Sequence, residues 1–116
     1  MILADTSVWI EHFNSGKGSL SQLLDSGEVG THPFVIGELA CGSIRNRREI
    51  LHFLDLLPAF PLASNSEVRD LIESRRLYSK GIGWVDAHLI AAVLLSPHSK
   101  LLTKDKRLGL IAEEML

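Results

Sequence analysis

Short apolar runs alternate along the chain with longer segments whose apolar residues recur at helical spacing, which predicts strands and helices in turn. We predict strands at 2–4, 28–31, 59–62 and 101–103. We predict helices at 5–13, 20–26, 33–44, 48–57, 64–80 and 84–95, followed by a short helical tail. This order of elements indicates an α/β fold in layers, with a mostly parallel sheet.

Local signals mark the ends of several helices. Pro33 suits the first turn of a helix, where the missing N–H is not needed. Ser64 and Glu67 match a capping box, in which side chains satisfy free amides of the first turn. Gly27 is a suitable C-terminal stop, and Pro58 ends the helix before it. The helices are therefore predicted from their ends as well as from their periodicity.

Four carboxylates stand where apolar segments begin or end. Two of them follow predicted strands, and two lie early on predicted helices; they are Asp5 and Asp105, and Glu38 and Asp86. Ligands of parallel sheets bind outside the carboxyl ends of the strands, and helix N-termini favour negative charge. We therefore expect the four groups to converge. Their repulsion would have to be offset, so a divalent metal site is the leading hypothesis.

Each acid also has a purely structural explanation. Asp5 could cap the following helix, and Asp105 could form a turn. Glu38 and Asp86 could simply be stabilised by the dipoles of their helices. Glu11 is explained by an exposed position on its helix. These separate explanations do not account for the recurrence of one pattern along the whole chain.

Length and composition suit one soluble globular domain spanning 1–116. Hydrophobic residues make up 46% of the 116 residues and charged residues 22%. Cys41 is the only cysteine, so no internal disulfide can form and a reducing compartment is expected. The N-terminus lacks the pattern of a signal peptide, and no apolar stretch could cross a bilayer. We expect a cytoplasmic protein without a membrane partner.

The net charge of −2 hides an uneven distribution. Lys17 is the only basic residue before Arg45, whereas eleven basic residues lie from Arg45 to Arg107. Phosphate binding requires a local positive patch rather than a positive total. Taken alone, each basic cluster is better explained as a solvated helix face. The last cluster differs because it brackets Asp105.

Four blocks of the sequence, in order, resemble the PIN-domain proteins of the VapC toxin type. They are Met1 to Ile10 (MILADTSVWI), Glu38 to Gly42 (ELACG), Asp86 to Ala92 (DAHLIAA) and Leu101 to Arg107 (LLTKDKR). The resemblance covers essentially the whole chain. It implies a three-layer α/β/α sandwich with a mostly parallel central sheet, and a metal-dependent endoribonuclease. It also implies a toxin held inactive by a cognate antitoxin, and a homodimer.

Carried over by motif, the resemblance assigns the four carboxylates, Asp5, Glu38, Asp86 and Asp105, to the catalytic, metal-binding acidic set. Thr6, Ser7 and Thr103 are supporting hydroxyls beside it, and Lys104, Lys106 and Arg107 are possible contacts to RNA phosphates. Mg²⁺, or Mn²⁺ in its place, takes oxygen ligands and can activate a bound water for attack on a phosphodiester. The RNA could be a tRNA, an rRNA or an mRNA.

Other functions fit the residues less well. A PIN nuclease that processes RNA without an antitoxin is one alternative, and a non-catalytic metal- or RNA-binding module is another. A phosphatase would need a compact D-x-D pattern, which Asp5 and Ser7 do not supply. Apolar stretches at 34–36 and 51–57 could leave a groove for an antitoxin helix. We expect Trp9 and Trp84 to be core or interface anchors rather than base-stacking platforms, and His88 a hydrogen-bonded core residue.

Overall fold

A short parallel sheet organises the fold in the computed structural model, which describes residues 1–16 and 18–115. Its strands are β1 (Ile2–Ala4), β2 (Val29–Gly30) and β3 (Lys100–Leu102), in the spatial order β2-β1-β3. In register, Ile2 lies opposite both Val29 and Lys100, and Ala4 lies opposite Leu102. The first strand is thus central, and the last strand of the chain completes the sheet beside it.

Helices fill the connections between the strands. They are α1 (Thr6–Ser15), α2 (Ser19–Asp25), α3 (Pro33–Cys41), α4 (Arg47–Leu56), α5 (Asn65–Ser74), α6 (Trp84–Leu94) and α7 (Lys106–Met115). Within the described ranges, no helix is long and apolar enough to cross a membrane.

The order of the strands explains how the helices come to lie on both faces of the sheet. The chain steps from β1 to β2, and then on to a parallel bridge between Thr31 and Ala59, in one direction. It then returns across the sheet to β3 in the opposite direction. Because nearly all connections between parallel strands are right-handed, this reversal of direction predicts α1 to α4 on one face and α5 and α6 on the other. The predicted α/β/α sandwich with a parallel sheet is confirmed.

The core is continuous through the central strand. Leu3 is fully buried and belongs to one cluster with Trp9, Leu54 and Leu89. Every residue of α6 from Ala87 to Val93 is buried, as its uniformly apolar sequence indicates. This helix is fixed on all sides, so it holds its first turn firmly at the edge of the sheet.

The predicted helix signals are largely confirmed. Ser64 and Glu67 form the capping box of α5, and Pro33 occupies the first turn of α3. Gly27 ends α2 in the left-handed conformation at φ 70°, with its N–H donating to the carbonyl of Leu24. These ends could be predicted because each depends on residues within one turn of the chain.

The helix predicted over 64–80 ends earlier, at Ser74. Arg76 takes the left-handed conformation at φ 54°, and the N–H of Leu77 donates to the carbonyl of Ile72. This is a Schellman end made without glycine. It turns the buried side chain of Leu77 into a cluster with Ile90 and Leu108. Burial of Leu77 therefore overrides the helical tendency of the segment.

Two further predicted boundaries are corrected. The strand predicted at 59–62 is reduced to the bridge at Ala59, because Pro61 has no N–H to extend a ladder. The helix predicted over 33–44 ends at Cys41. There the guanidinium of Arg47 donates to the carbonyls of Ala40 at 2.6 Å and Gly42 at 3.3 Å. Arg47 thereby satisfies free carbonyls at the C-terminal end of α3.

Candidate active site

The N-termini of four helices meet at the carboxyl edge of the sheet. Helices α1, α3 and α7 each follow a parallel strand, and α6 directly precedes β3 and so begins at the same edge. Helix N-termini carry partial positive charge. The four predicted carboxylates lie at or near these ends, so the fold provides a common reason for their positions.

Asp5 is the most firmly held of the four carboxylates. It is only 7% exposed and caps α1 by accepting from the N–H of Val8 at 3.2 Å. Its Oδ1 accepts from the hydroxyl of Ser7 at 2.6 Å, and its Oδ2 accepts from the hydroxyl of Thr103. Both oxygens are therefore oriented, and the second bond joins the ends of β1 and β3.

Asp105 is tied into the same network. Its N–H donates to the hydroxyl of Thr103 at 3.1 Å, and its Oδ1 accepts from the N–H groups of Arg107 and Leu108 at 2.9 and 3.2 Å. The carboxylate therefore caps α7 as Asp5 caps α1. Thr103 links the two acids directly, because it donates to one and accepts from the other.

Glu38 and Asp86 approach from opposite layers. Glu38, exposed on the second turn of α3, accepts from the hydroxyl of Thr6 at 2.6 Å. Asp86, the third residue of α6, accepts from the N–H of Gly83 at 3.1 Å. The predicted hydroxyls of Thr6, Ser7 and Thr103 thus all contact a predicted carboxylate.

Asp86 lies close enough to the other acids for their charges to affect its pKa. Burial raises the pKa of Asp86 above its ordinary value, and the N–H of Gly83 partly opposes this. Repulsion from Asp105, Asp5 and Glu38 raises the pKa further. The fold therefore brings Asp105, Asp5 and Glu38 within electrostatic range of Asp86.

The carboxylates do not form a tight cage. Within residues 1–16 and 18–115, no three side chains of histidine, cysteine, aspartate or glutamate are grouped closely enough to hold a metal ion. Each carboxylate is instead engaged with its own cap or hydroxyl. The donor set, of carboxylate and hydroxyl oxygens, nevertheless suits Mg²⁺ or Mn²⁺, which need few protein ligands and keep several waters.

The basic residues beside Asp105 have different surroundings. The ammonium of Lys104 forms an ion pair with the carboxylate of Glu11, which lies on α1. Lys106 is exposed. The side chain of Arg107 lies across Gly81, where an added Cβ would come within 2.5 Å of Nη1. The ion pair was not predicted, because no local pattern relates Glu11 to a lysine so distant in the chain.

A group of rings borders the acidic edge. His88 is fully buried, with its ring 4.6 Å from that of Phe34 and 4.7 Å from that of Trp84. Neither ring nitrogen of His88 has a hydrogen-bond partner within the described parts of the chain, contrary to expectation. Trp9 is buried in the core as predicted, whereas Trp84 is 41% exposed.

His32, the residue just before α3, is also fully buried and belongs to the same group of rings. Its Nδ1 accepts from the N–H of Phe34 at 3.0 Å, so it caps α3. Burial, and to a smaller degree the nearby His88, lowers the pKa of His32 to about 4. His32 is therefore neutral at physiological pH. No local pattern indicates this role, because histidine is not a usual N-cap.

Comparison with known proteins agrees with this geometry. Residues 2–114 match the model of the PIN domain family. The chain is 48% identical over 108 residues to Ribonuclease VapC32 of Mycobacterium tuberculosis, strain CDC 1551 / Oshkosh, covering 93% of this chain and 87% of the relative. The protein of the same name from strain ATCC 25618 / H37Rv matches with the same identity and coverage.

Proposed function

Because the chain belongs to the PIN domain family, we propose that it is a metal-dependent endoribonuclease that hydrolyses RNA phosphodiester bonds. The resemblance to VapC-type proteins, predicted from four blocks, is confirmed by the matches above. The observation that supports the proposal is the gathering of four carboxylates at one edge of the sheet, where repulsion from Asp105, Asp5 and Glu38 adds to the effect of burial in raising the pKa of Asp86. Such repulsion is relieved by a bound cation.

Asp5, Glu38, Asp86 and Asp105 are the proposed catalytic and metal-binding residues. Mg²⁺, or Mn²⁺ in its place, would supply an activated water and neutralise charge on the phosphate. Ser7 and Thr103 orient both oxygens of Asp5, while Thr6 holds Glu38. These hydroxyls fix the direction of the acids before any ligand arrives.

Three cations flank the proposed site, and they differ in availability. Lys106 and Arg107 are proposed to contact RNA phosphates. Lys104 can do so only after leaving Glu11, because the two form an exposed ion pair. Exposed pairs of this kind are weak, so a phosphate could replace the carboxylate. Of the three proposed phosphate contacts, Lys104 is therefore less readily available than Lys106 and Arg107.

The proposal extends to the biological setting. The relatives are named as VapC ribonucleases. We propose that residues 1–116 act as one nuclease domain and as the toxin of a toxin–antitoxin pair. A cognate antitoxin protein, a homodimeric assembly, a cytoplasmic location and a tRNA, rRNA or mRNA substrate belong to the same proposal.

The test is cleavage of a mixed tRNA and rRNA pool by purified protein, with Mg²⁺, Mn²⁺ or EDTA. We expect discrete fragments that require the metal, and a loss of at least about 100-fold in Asp5→Asn. Asp25→Asn, an exposed acid of α2, is the matched control and should cleave normally. Absence of cleavage by folded, antitoxin-free protein would favour a non-catalytic binding module.

A further inference from the structure

Trp84 is placed unusually for a tryptophan. It is the first residue of α6 and lies two residues before Asp86, at the edge that carries the carboxylates. Its side chain is 41% exposed, whereas Trp9 is 0% exposed in the core. A large aromatic surface left in water loses the stabilisation that burial would give. The position of Trp84 is therefore not explained by packing alone.

The ring of Trp84 is exposed but held in place. It meets the buried ring of His88 at 4.7 Å and an interplanar angle of 83°, an edge-to-face arrangement. His88 is held in the same way by Phe34 at 4.6 Å. The exposed indole is thus supported from within the core. A ring fixed in this way loses little conformational entropy when a flat ligand stacks on it.

The surroundings of Trp84 favour a nucleic acid over a protein. The segment before it, residues 78–83, exposes a tyrosine, a serine, a lysine and two glycines, with only Ile82 half-buried. The side chain of Arg107 lies across Gly81 of that segment. Aromatic rings interleaved with cations are typical of surfaces that bind single-stranded nucleic acid. A protein interface would present a broader apolar patch.

We propose that Trp84 stacks on an unpaired RNA base close to the phosphodiester that is cleaved, and so selects RNA that is single-stranded there. The proposal rests on the nuclease function proposed above. A base in a duplex is stacked between its neighbours and cannot offer its face to the indole. Arg107 and Lys106 bind phosphates of the RNA backbone, while Trp84 stacks only on a base that is not already stacked in a duplex. Trp84 is thus a specificity-determining residue.

The primary test compares binding of a 12-nucleotide single-stranded RNA with binding of its duplex. Measurements use the Asp5→Asn background with Mg²⁺, so that RNA is bound without being cut. We expect Trp84→Ala to weaken binding of the single strand about 5- to 150-fold while leaving the duplex nearly unaffected. Trp84→Phe should restore most of the preference, because phenylalanine also stacks. Leu110→Ala, an exposed apolar residue of α7, is the control.

Fluorescence gives a direct signature of stacking. Single-stranded RNA should quench part of the tryptophan emission, and Trp84→Phe should abolish that quenching, because the buried Trp9 is then the only tryptophan left. Thermal unfolding of each variant shows that the fold is intact.

An unchanged preference for single-stranded RNA in a folded Trp84→Ala variant would overturn the proposal and point to a protein contact instead. This result is independent of catalysis. Failure of the nuclease function would appear as absence of cleavage by the wild-type protein, whatever Trp84 does to binding.

Discussion

Asp86 bears an electrostatic penalty in the metal-free protein. Its carboxylate is half-buried and is repelled by three other acids. Because its folded pKa is raised, the stability linked to its proton is present below the unfolded pKa and lost as pH rises. At neutral pH the ionised group therefore destabilises the fold. This is the arrangement expected where function takes precedence over stability.

We predict that Asp86→Asn unfolds at a higher temperature than the wild type at pH 7 without metal, yet cleaves RNA at least about 100-fold more slowly. The asparagine oxygen can still accept from the N–H of Gly83. Thermal unfolding and cleavage rates measure the two effects. Asp70→Asn, an exposed acid of α5, should change neither. A lower unfolding temperature for Asp86→Asn would contradict the proposed repulsion.

His32 predicts a loss of stability in acid. Its pKa in the folded state is about 4, against 6.5 for an unperturbed histidine. Between these pH values His32 is therefore protonated in the unfolded chain but not in the folded state. Stability should fall as pH decreases from 6.5 towards 4, by up to about 3 kcal/mol. Urea unfolding of wild type and His32→Asn at pH 7 and pH 4.5 measures the change.

The asparagine in this variant can keep the cap on Phe34 but takes up no proton. The variant should therefore lose less stability between the two pH values. His52→Asn, on the surface of α4, should behave as the wild type does. Equal pH dependence in wild type and His32→Asn would show that other groups control acid unfolding.

At the scale of single elements, the connection between α5 and α6 shapes the rim of the site. Gly81 has φ +80°, and Arg107 occupies the space where a side chain would be. Gly27 has a similar φ of +70°, but nothing lies within 4 Å of its missing Cβ. An alanine at either position therefore strains the backbone, but only an alanine at position 81 also displaces Arg107.

We predict that Gly81→Ala and Gly27→Ala each destabilise the protein by roughly 1–2 kcal/mol, because alanine is strained at positive φ. Only Gly81→Ala should also weaken RNA binding, with the slope of log K against log[salt] reduced by about 0.7–0.9, the value for one phosphate contact. Arg107→Gln should reduce the slope equally, and the double variant no further. Additive losses would show that Gly81 and Arg107 act separately.

The elements also show which parts of the fold a sequence can predict. β1, α6 and the capping box of α5 were predicted because short apolar runs and local caps determine them. The early end of α5 was missed because Arg76 adopts a conformation that nothing in its residue type indicates. The four acids could be proposed as a set because each follows a short apolar run in the sequence. Contacts such as that between Thr6 and Glu38 depend on tertiary packing, and no local pattern encodes them.

For the whole molecule, the proposed metal site would link metal binding to folding. A cation that binds only the folded state stabilises it by RT ln(1 + [L]/Kd), about 2.7 kcal/mol at one hundred times Kd. We predict that Mg²⁺ or Mn²⁺ raises the unfolding temperature by several degrees and that EDTA reverses the change. Asp5→Asn should remove most of the effect, and Asp25→Asn should retain it. Equal stabilisation of the Asp5→Asn protein would place the cation elsewhere.

The hydrogen bond from Thr103 to Asp5 joins residues 98 positions apart. During translation β1 and β2 leave the ribosome early, whereas the strand that brings Thr103 and Asp105 is the last to emerge. A partly made chain therefore has neither the complete set of acids nor the hydroxyl that orients Asp5. The ribosome that makes this polypeptide is thus not exposed to the assembled proposed site until β3 and the residues after it have emerged.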